Sequence, residues 1–243
     1  MCDSCGCGDP TVIPFEVHER ILAGNDRVAR HNRDHFKDHG VVAVNLMGAP
    51  GSGKTAILEA TARAMARHAR LGVLAGDLAT ENDAARIRAA GIIAESITTG
   101  SACHLDAEMV HRGLHRLPWR TLDYLFIENV GNLVCPAVYD LGQNANVVAL
   151  SVTEGDDKPL KYPTMFRKAD LVLVTKIDLL PLLPEVSLDA IEQNLALVMS
   201  RPTILRVSAR TGAGIDQWIR WLSGHDGLRT AACASAAGAG IPV

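Results

Sequence analysis

No apolar run in the chain reaches the roughly 18 residues that a membrane span needs, and the N-terminus lacks the charged-then-apolar pattern of a secretory leader. Basic clusters are missing as well: the formal net charge is −3 over 243 residues, so neither nucleic acid nor an acidic membrane is an expected partner. Six cysteines are too few in a chain of this size for a disulfide framework, and their grouping points instead to metal or redox chemistry in a reducing compartment. These absences lead to the expectation of a cytoplasmic protein. With 48% hydrophobic and 21% charged residues, one globular domain with short appendages is expected.

What is present is organised around Gly48-Ala49-Pro50-Gly51-Ser52-Gly53-Lys54-Thr55. An apolar, β-branched run (41–47) precedes it and helix formers at helical spacing (56–69) follow, which is the strand, turn and helix order of a phosphate-binding loop. Gly48, Gly51 and Gly53 let the backbone turn its N–H groups inward at the positive end of the following helix, with Ser52 in the same loop. Lys54 is expected to reach the β- and γ-phosphates, and the Thr55 hydroxyl to coordinate Mg²⁺.

Further strands are expected at 72–77, 92–98, 124–128, 146–152, 170–174 and 203–207, interleaved with helical patterns. The fold class is therefore α/β, a P-loop NTPase with a mostly parallel sheet of about seven strands flanked by helices. Asp77 ends the second strand on the ligand edge, where it serves Mg²⁺ or the attacking water, or else caps the next helix. Glu128 ends the fourth, where a second metal-side carboxylate belongs, and Gly131 follows in what reads as a switch loop. Asp178, in Thr175-Lys176-Ile177-Asp178, can accept hydrogen bonds from guanine N1–H and the 2-amino group, while Lys176 lays its stem along the base. Ser208 and Ala209 end the last strand with backbone donors for guanine O6, so the expected ligand is GTP or GDP. The loop 153–163 carries Lys158 and Lys161, which either reach phosphate across an interface or are simply solvated.

Two groups of soft ligands stand out. Cys2, Cys5 and Cys7 fall within six residues in a polar, Gly-rich tail (1–12), and can close on one soft metal ion, bind zinc adventitiously or merely oxidise. Cys103, His104 and Cys135 lie in two loops that follow strands on the nucleotide edge, and suit Zn²⁺ or Ni²⁺ if they are not buried bystanders. A helix over 13–39, ending at Gly40, is expected to pack on the domain; its histidines, His18, His31, His35 and His39, read as a solvated face. The expected units are thus a Cys-rich tail (1–12), an N-terminal helix (13–40), a GTPase domain (41–223) and an Ala/Gly-rich tail (224–243) that holds Cys233, to which no role falls.

Taken together, the residues resemble the HypB family, nickel-incorporation GTPases that mature nickel–iron hydrogenases. The resemblance rests on Cys2-x-x-Cys5-Gly6-Cys7, the phosphate loop, the stretch from Gly76 to Asp83, the stretch from Thr99 to Ala107 that contains Cys103-His104-Leu105-Asp106, and Glu128 to Asn132 followed by Cys135-Pro136. It implies a SIMIBI-type GTPase that dimerises, with a nickel or zinc site at the dimer interface from Cys103, His104 and Cys135, and a tighter nickel site at Cys2, Cys5 and Cys7. It also implies the nickel-binding maturation protein HypA and a hydrogenase large-subunit precursor as partners. Thr175 stands where the family's guanine motif has asparagine, and no His-rich tract follows the N-terminus. The urease nickel GTPases are a rival family, but their Cys-Pro-His motif meets Ala137 after Pro136 here. A rival of another class is a non-enzymatic metal-binding protein with a structural nucleotide.

Overall fold

Seven apolar runs form the strands β1 (Val42–Met47), β2 (Leu71–Asp77), β3 (Ile93–Thr98), β4 (Tyr124–Glu128), β5 (Ala145–Ser151), β6 (Leu171–Thr175) and β7 (Ile204–Arg206) in a computed structural model. It describes residues 15–65, 67–77, 82–100 and 102–225, with side chains from residue 22 onward. Cys2, Cys5, Cys7, Cys233 and the two expected tails, apart from Gly224 and His225, lie outside the described residues. All seven strands join one sheet in the order β3-β2-β4-β1-β5-β6-β7, and every pairing is parallel. β1, β4 and β6 are buried along their whole length, which explains why they read as continuous apolar runs instead of alternating ones. Their limits fall within two residues of those expected.

The helices are α1 (Phe15–His39), α2 (Lys54–Met65), α3 (Asn82–Ala89), α4 (Ala107–Leu114), α5 (Lys158–Lys161), α6 (Pro163–Arg167), α7 (Leu188–Val198) and α8 (Ile215–Ser223). On one face of the sheet, Ile57 and Leu58 of α2, Ile87 of α3 and Trp218 and Leu222 of α8 pack on Val44, Val73 and Phe126. On the other face, Phe36 of α1 and Val110 and Leu114 of α4 cover Ala43, Leu74 and Leu125, while Phe166 and Leu195 cover Val148 and Val172. None of the described helices is long and apolar enough to cross a membrane. β1 lies between β4 and β5, with β2 and β3 on one side of it and β6 and β7 on the other, so the carboxyl ends of β1, β4 and β2 open a crevice at the usual ligand position of such sheets. The 153–163 stretch is helical from Lys158, not a loop; Lys161 pairs with Asp157 one turn earlier at 2.5 Å.

α1 is held by polar side chains that reach distant backbone. Asn25 accepts from Ala107 N–H at 2.9 Å and donates to the Asp140 carbonyl at 2.8 Å. Arg33 grips the Asp140 carboxylate with both oxygens at 2.8 and 2.7 Å. Between these contacts Gly142, at φ 88°, passes so close to α1 that a Cβ there would sit 2.5 Å from the Ala29 carbonyl oxygen and 2.7 Å from Asn32 Cβ. Gly142→Ala is expected to destabilise the protein by at least about 1–3 kcal/mol, from backbone strain alone, and to deprotect α1 amides in hydrogen exchange ahead of the sheet. Denaturation midpoints and exchange rates equal to wild type would mean that α1 does not depend on this approach.

Candidate functional site

The phosphate-binding loop follows from its backbone. Gly48 sits at φ 145°, where any side chain would collide with the Ala149 carbonyl and the Ser52 hydroxyl, so the loop can leave β1 and turn beneath β5 only through glycine. Lys54 begins α2, is almost fully buried, and donates to the carbonyls of Ala49 at 3.1 Å and Gly48 at 3.3 Å. Burial pushes its pKa down, while Glu128, Asp83 and Glu154 draw it back up. The charge thus faces a crevice of about 440 Å³ that the loop, Asp77, Asp83, Glu128 and Gly131 line.

Three oxygen groups converge in that crevice. The Thr55 hydroxyl lies 2.7 Å from Glu128 Oε1 and 3.0 Å from Asp83 Oδ1, and its single proton can serve only one of them. Glu128 Oε2 is buried with no hydrogen-bond partner. Burial pushes the Glu128 carboxyl up to about 7, against the Thr55 hydrogen bond and the Lys54 charge that lower it and the Asp83 charge that raises it further. An orphaned carboxylate oxygen, a second carboxylate and a hydroxyl form a hard-oxygen donor set that fits Mg²⁺. Asp77, half-buried at the end of β2, lines the same crevice. Asp83 was not singled out from the sequence, although it closes the Gly76 to Asp83 stretch; it owes its place to the first turn of α3.

A second hollow of about 250 Å³ adjoins the loop on the β6 side, walled by Gly53, Thr175, Lys176, Asp178, Leu179 and Ala209. Thr175, in the position of the family's asparagine, donates to the Ser52 carbonyl at 2.6 Å and so ties β6 to the phosphate loop. Lys176 adopts the left-handed conformation, φ 58°, and its ammonium donates to the Gly51 carbonyl at 2.6 Å. Asp178 accepts from the Ser208 hydroxyl at 2.6 Å, which brings the two expected guanine elements together on adjacent strand ends. Lys158 and Lys161 are not brought into either hollow: Lys158 lies over the Tyr162 ring, 5.4 Å from its centre, and Lys161 is engaged with Asp157.

Cys103, His104 and Cys135 do meet, with ligand atoms all within 4.8 Å of one another. The two sulfurs are 3.0 Å apart as free thiols, and Cys103 Sγ is 3.9 Å from His104 Nδ1. The hydrogen bond from Cys103 holds the Cys135 thiol pKa up, with burial and the Cys103 charge adding to the effect. A second thiolate here therefore calls for a cation between the sulfurs. Burial lowers the His104 pKa, which keeps a neutral ring available for ligation, and the ring stacks on Tyr139 at 4.0 Å. Neither Tyr139 nor the asparagines that join this cluster to the phosphate loop could be singled out from the sequence.

Those asparagines carry the geometry. Asn132 N–H donates to the Gly48 carbonyl at 3.2 Å, its side-chain amide donates to the Cys103 carbonyl at 3.3 Å, and its side-chain oxygen accepts from Val134 N–H. Asn129 accepts from Leu105 and Val130 N–H groups and donates to Asn45 on β1 at 3.2 Å. Gly131 lies so close to Pro50 that a Cβ would sit 3.0 Å from Pro50 N and Cα. The segment between Glu128 and Cys135 thus rests on the phosphate loop at one end and holds the metal-capable cluster at the other.

Comparison with known proteins agrees with this arrangement. Residues 42–205 match the family model described as CobW/HypB/UreG, nucleotide-binding domain. The hydrogenase maturation factor HypB of Azotobacter chroococcum mcd 1 is 47% identical over 88% of this chain and 70% of its own length. The crystal structure of the hydrogenase maturation factor HypB from Archaeoglobus fulgidus superposes with a TM-score of 0.78 at 41% identity, covering 84% of this chain and all of that one. That of HypB from Helicobacter pylori in complex with nickel gives 0.79 at 37%, covering 84% of this chain and 95% of the other. The match across the nucleotide-binding sheet and the identity over most of the chain lead to one conclusion: the chain belongs to the CobW/HypB/UreG family of nucleotide-binding proteins and, within it, to the HypB hydrogenase maturation factors.

Proposed function

We propose that the chain is a GTP-hydrolysing metallochaperone that delivers nickel during maturation of nickel–iron hydrogenase, with nucleotide state coupled to the Cys103, His104 and Cys135 site. The observation that carries the coupling is the backbone bridge between Gly48 and Asn132, because Asn132 also holds the Cys103 carbonyl. Nickel is the cargo, and Zn²⁺ is accepted by the same donors.

In the hydrolytic half, loop N–H groups, the α2 N-terminus and Lys54 bind the phosphates. Thr55, Asp83 and Glu128 would hold Mg²⁺, with Asp77 lining the same crevice, and the ion would offset charge on the β- and γ-phosphates. Gly131 N–H lies on the γ-phosphate side, Asp178 reads the guanine edge, Lys176 covers the base, and Ser208 and Ala209 face O6. Hydrolysis releases the Gly131 contact and lets the Asn129 to Cys135 segment shift, which moves Cys135 relative to Cys103.

The cargo site has three protein ligands, one short of a closed tetrahedron, so metal held there keeps an exit. Val134 and Val138 bracket Cys135 and are exposed at 53% and 43%, an apolar rim that suits closure by a second copy about a two-fold axis. Leu160, between Lys158 and Lys161, is exposed at 45%, and in such a dimer the two lysines are proposed to reach phosphate of the partner copy. HypA and a hydrogenase large-subunit precursor are the proposed source and acceptor of nickel. Cys2, Cys5 and Cys7 are proposed as a separate, tighter nickel site.

Three outcomes are expected. Lys54→Ala lowers GTP turnover by at least about two orders of magnitude in a folded protein; full turnover would remove the enzymatic half. In protein lacking the tail cysteines, calorimetric nickel affinity differs between GDP and GTP-analogue states, and Cys135→Ala abolishes the difference while nucleotide still binds. Equal affinities in both states, with Cys135→Ala binding nickel as wild type does, would sink the coupling. The third concerns pH. Because the folded Glu128 carboxyl is raised, the folded state holds its proton above the ordinary carboxylate range, and stability falls as pH rises toward about 7. Metal- and nucleotide-free protein should lose at most about 1.4 kcal/mol per pH unit in that window, Glu128→Gln should remove this loss, and a variant with an unchanged pH slope would show that Glu128 is not its source.

A further inference from the structure

Five of the nine histidines in the chain gather on one side of the molecule, away from the nucleotide crevice: His31, His35 and His39 on α1, His111 on α4, and His115 at the C-cap of α4. At the centre of this face the rings lie against one another. His31 and His35, one turn apart on α1, have their Nε2 atoms 2.9 Å apart, and the ring of His111 lies 5.2 and 5.9 Å from theirs, centre to centre. The three residues offer ring nitrogens that all lie within 4.8 Å of one another. His31 is exposed and the other two are half-buried. The cluster appears only when α1 docks on α4, 76 positions further along, which is why no spacing in the sequence discloses it.

One ligand is already oriented. Asn32, completely buried, commits both its amide hydrogens to the carbonyls of Ala107 at 2.9 Å and Leu141 at 3.2 Å. Its oxygen is therefore an acceptor, and His111 Nδ1, 3.0 Å away, must carry the proton. That leaves the His111 Nε2 lone pair free for a ligand, with a buried hydrogen bond behind the ring. Metal-binding imidazoles are held in this way. His31 and His35 set two nitrogens 2.9 Å apart, where at most one can donate to the other, and a cation between them satisfies both lone pairs. The surroundings favour neutral rings: burial lowers the pKa of His35 and of His111, and the neighbouring histidines and Arg120 reinforce this, with only Glu108 opposing it at His111.

We propose that His31, His35 and His111 form a third metal site, which takes a divalent transition ion of borderline softness, Ni²⁺ or Zn²⁺, with solvent or His115 in the remaining position. The donor set contains neither carboxylate nor thiolate, which disfavours Mg²⁺ and soft monovalent ions and suits an ion that prefers imidazole. His115, at the C-cap of α4, stands 5.1 Å from His111, ring to ring, within reach as a fourth ligand. α4 begins three residues after His104, so the site lies along the helix that starts beside the Cys103, His104 and Cys135 cluster. It does not depend on that cluster or on GTP hydrolysis.

The test uses the full chain with all six cysteines replaced by serine, titrated with Zn²⁺ alone and with Ni²⁺ alone by calorimetry, and the loaded protein studied by X-ray absorption. One retained equivalent is expected, with imidazole nitrogen and light-atom ligands and no sulfur; His35→Gln and His111→Gln should each weaken it at least tenfold, and the remote His68→Gln should not. Should the cysteine-free chain fail to fold, the same histidine substitutions in the cysteine-containing protein must lower metal stoichiometry by one equivalent, while a guanine-nucleotide titration reports an intact domain. Absence of any retained equivalent in folded cysteine-free protein, or metal binding indifferent to His35→Gln and His111→Gln, would overturn the proposal.

Discussion

The contact on which the site depends is the seating of the segment after β4 on the phosphate loop. Gly131 packs on Pro50 with no room for a Cβ, and Asn132 bridges to Gly48. Both partners leave neighbouring strands, β4 and β1, whose parallel pairing fixes where they emerge. A loop shaped to wrap polyphosphate cannot rearrange without disturbing this seat, and the same segment ends at Cys135. The distance from nucleotide to cysteine cluster is thus a few residues of chain, with no need for a long relay of side chains.

Electrostatics sharpen that seat. Lys54 is the only cation buried in the crevice among the described residues, and it faces Glu128, buried to 3% exposure, with Asp83 close by. An acid pushed up to about 7 sits at the point where its ionisation depends most on what enters. Without a cation it holds its proton up to the neutral range, and a divalent ion there would favour the ionised form. The thiols Cys103 and Cys135 follow the same logic with softer atoms, since Cys103 raises the Cys135 pKa and a metal between the sulfurs would offset the charge of both. Both halves of the site are sets of groups that cannot all ionise by themselves.

Legibility in the sequence tracked locality. The phosphate loop, α2 and the strand ends could be placed because each is a contiguous pattern, and the parallel sheet followed from their alternation. Asp178 and Ser208 were identified from two separate strand ends and meet at 2.6 Å, since β6 and β7 are neighbours in the sheet. Asp83 carries no strand-end signal in the sequence, because it reaches the crevice from the first turn of a helix. His111 was not singled out at all, because its meaning lies in Asn32 and in the docking of α1, contacts that span 79 positions. Asn129 and Asn132 look like ordinary turn residues in sequence; their reach to Leu105 and Cys103 comes from the fold.

The contact between Trp218 and Thr61 bears on how the molecule moves. Trp218, fully buried on α8, donates its indole N–H to the Thr61 hydroxyl at 2.9 Å, and that hydroxyl donates to the Ile57 carbonyl one turn back on α2. The helix that carries Lys54 and Thr55 is therefore pinned from behind, by a hydrogen-bonded wedge inside the apolar layer. It behaves as a stator. Displacement driven at the phosphate end then falls to the segment from Asn129 to Cys135, which is the segment that leads to the cysteines.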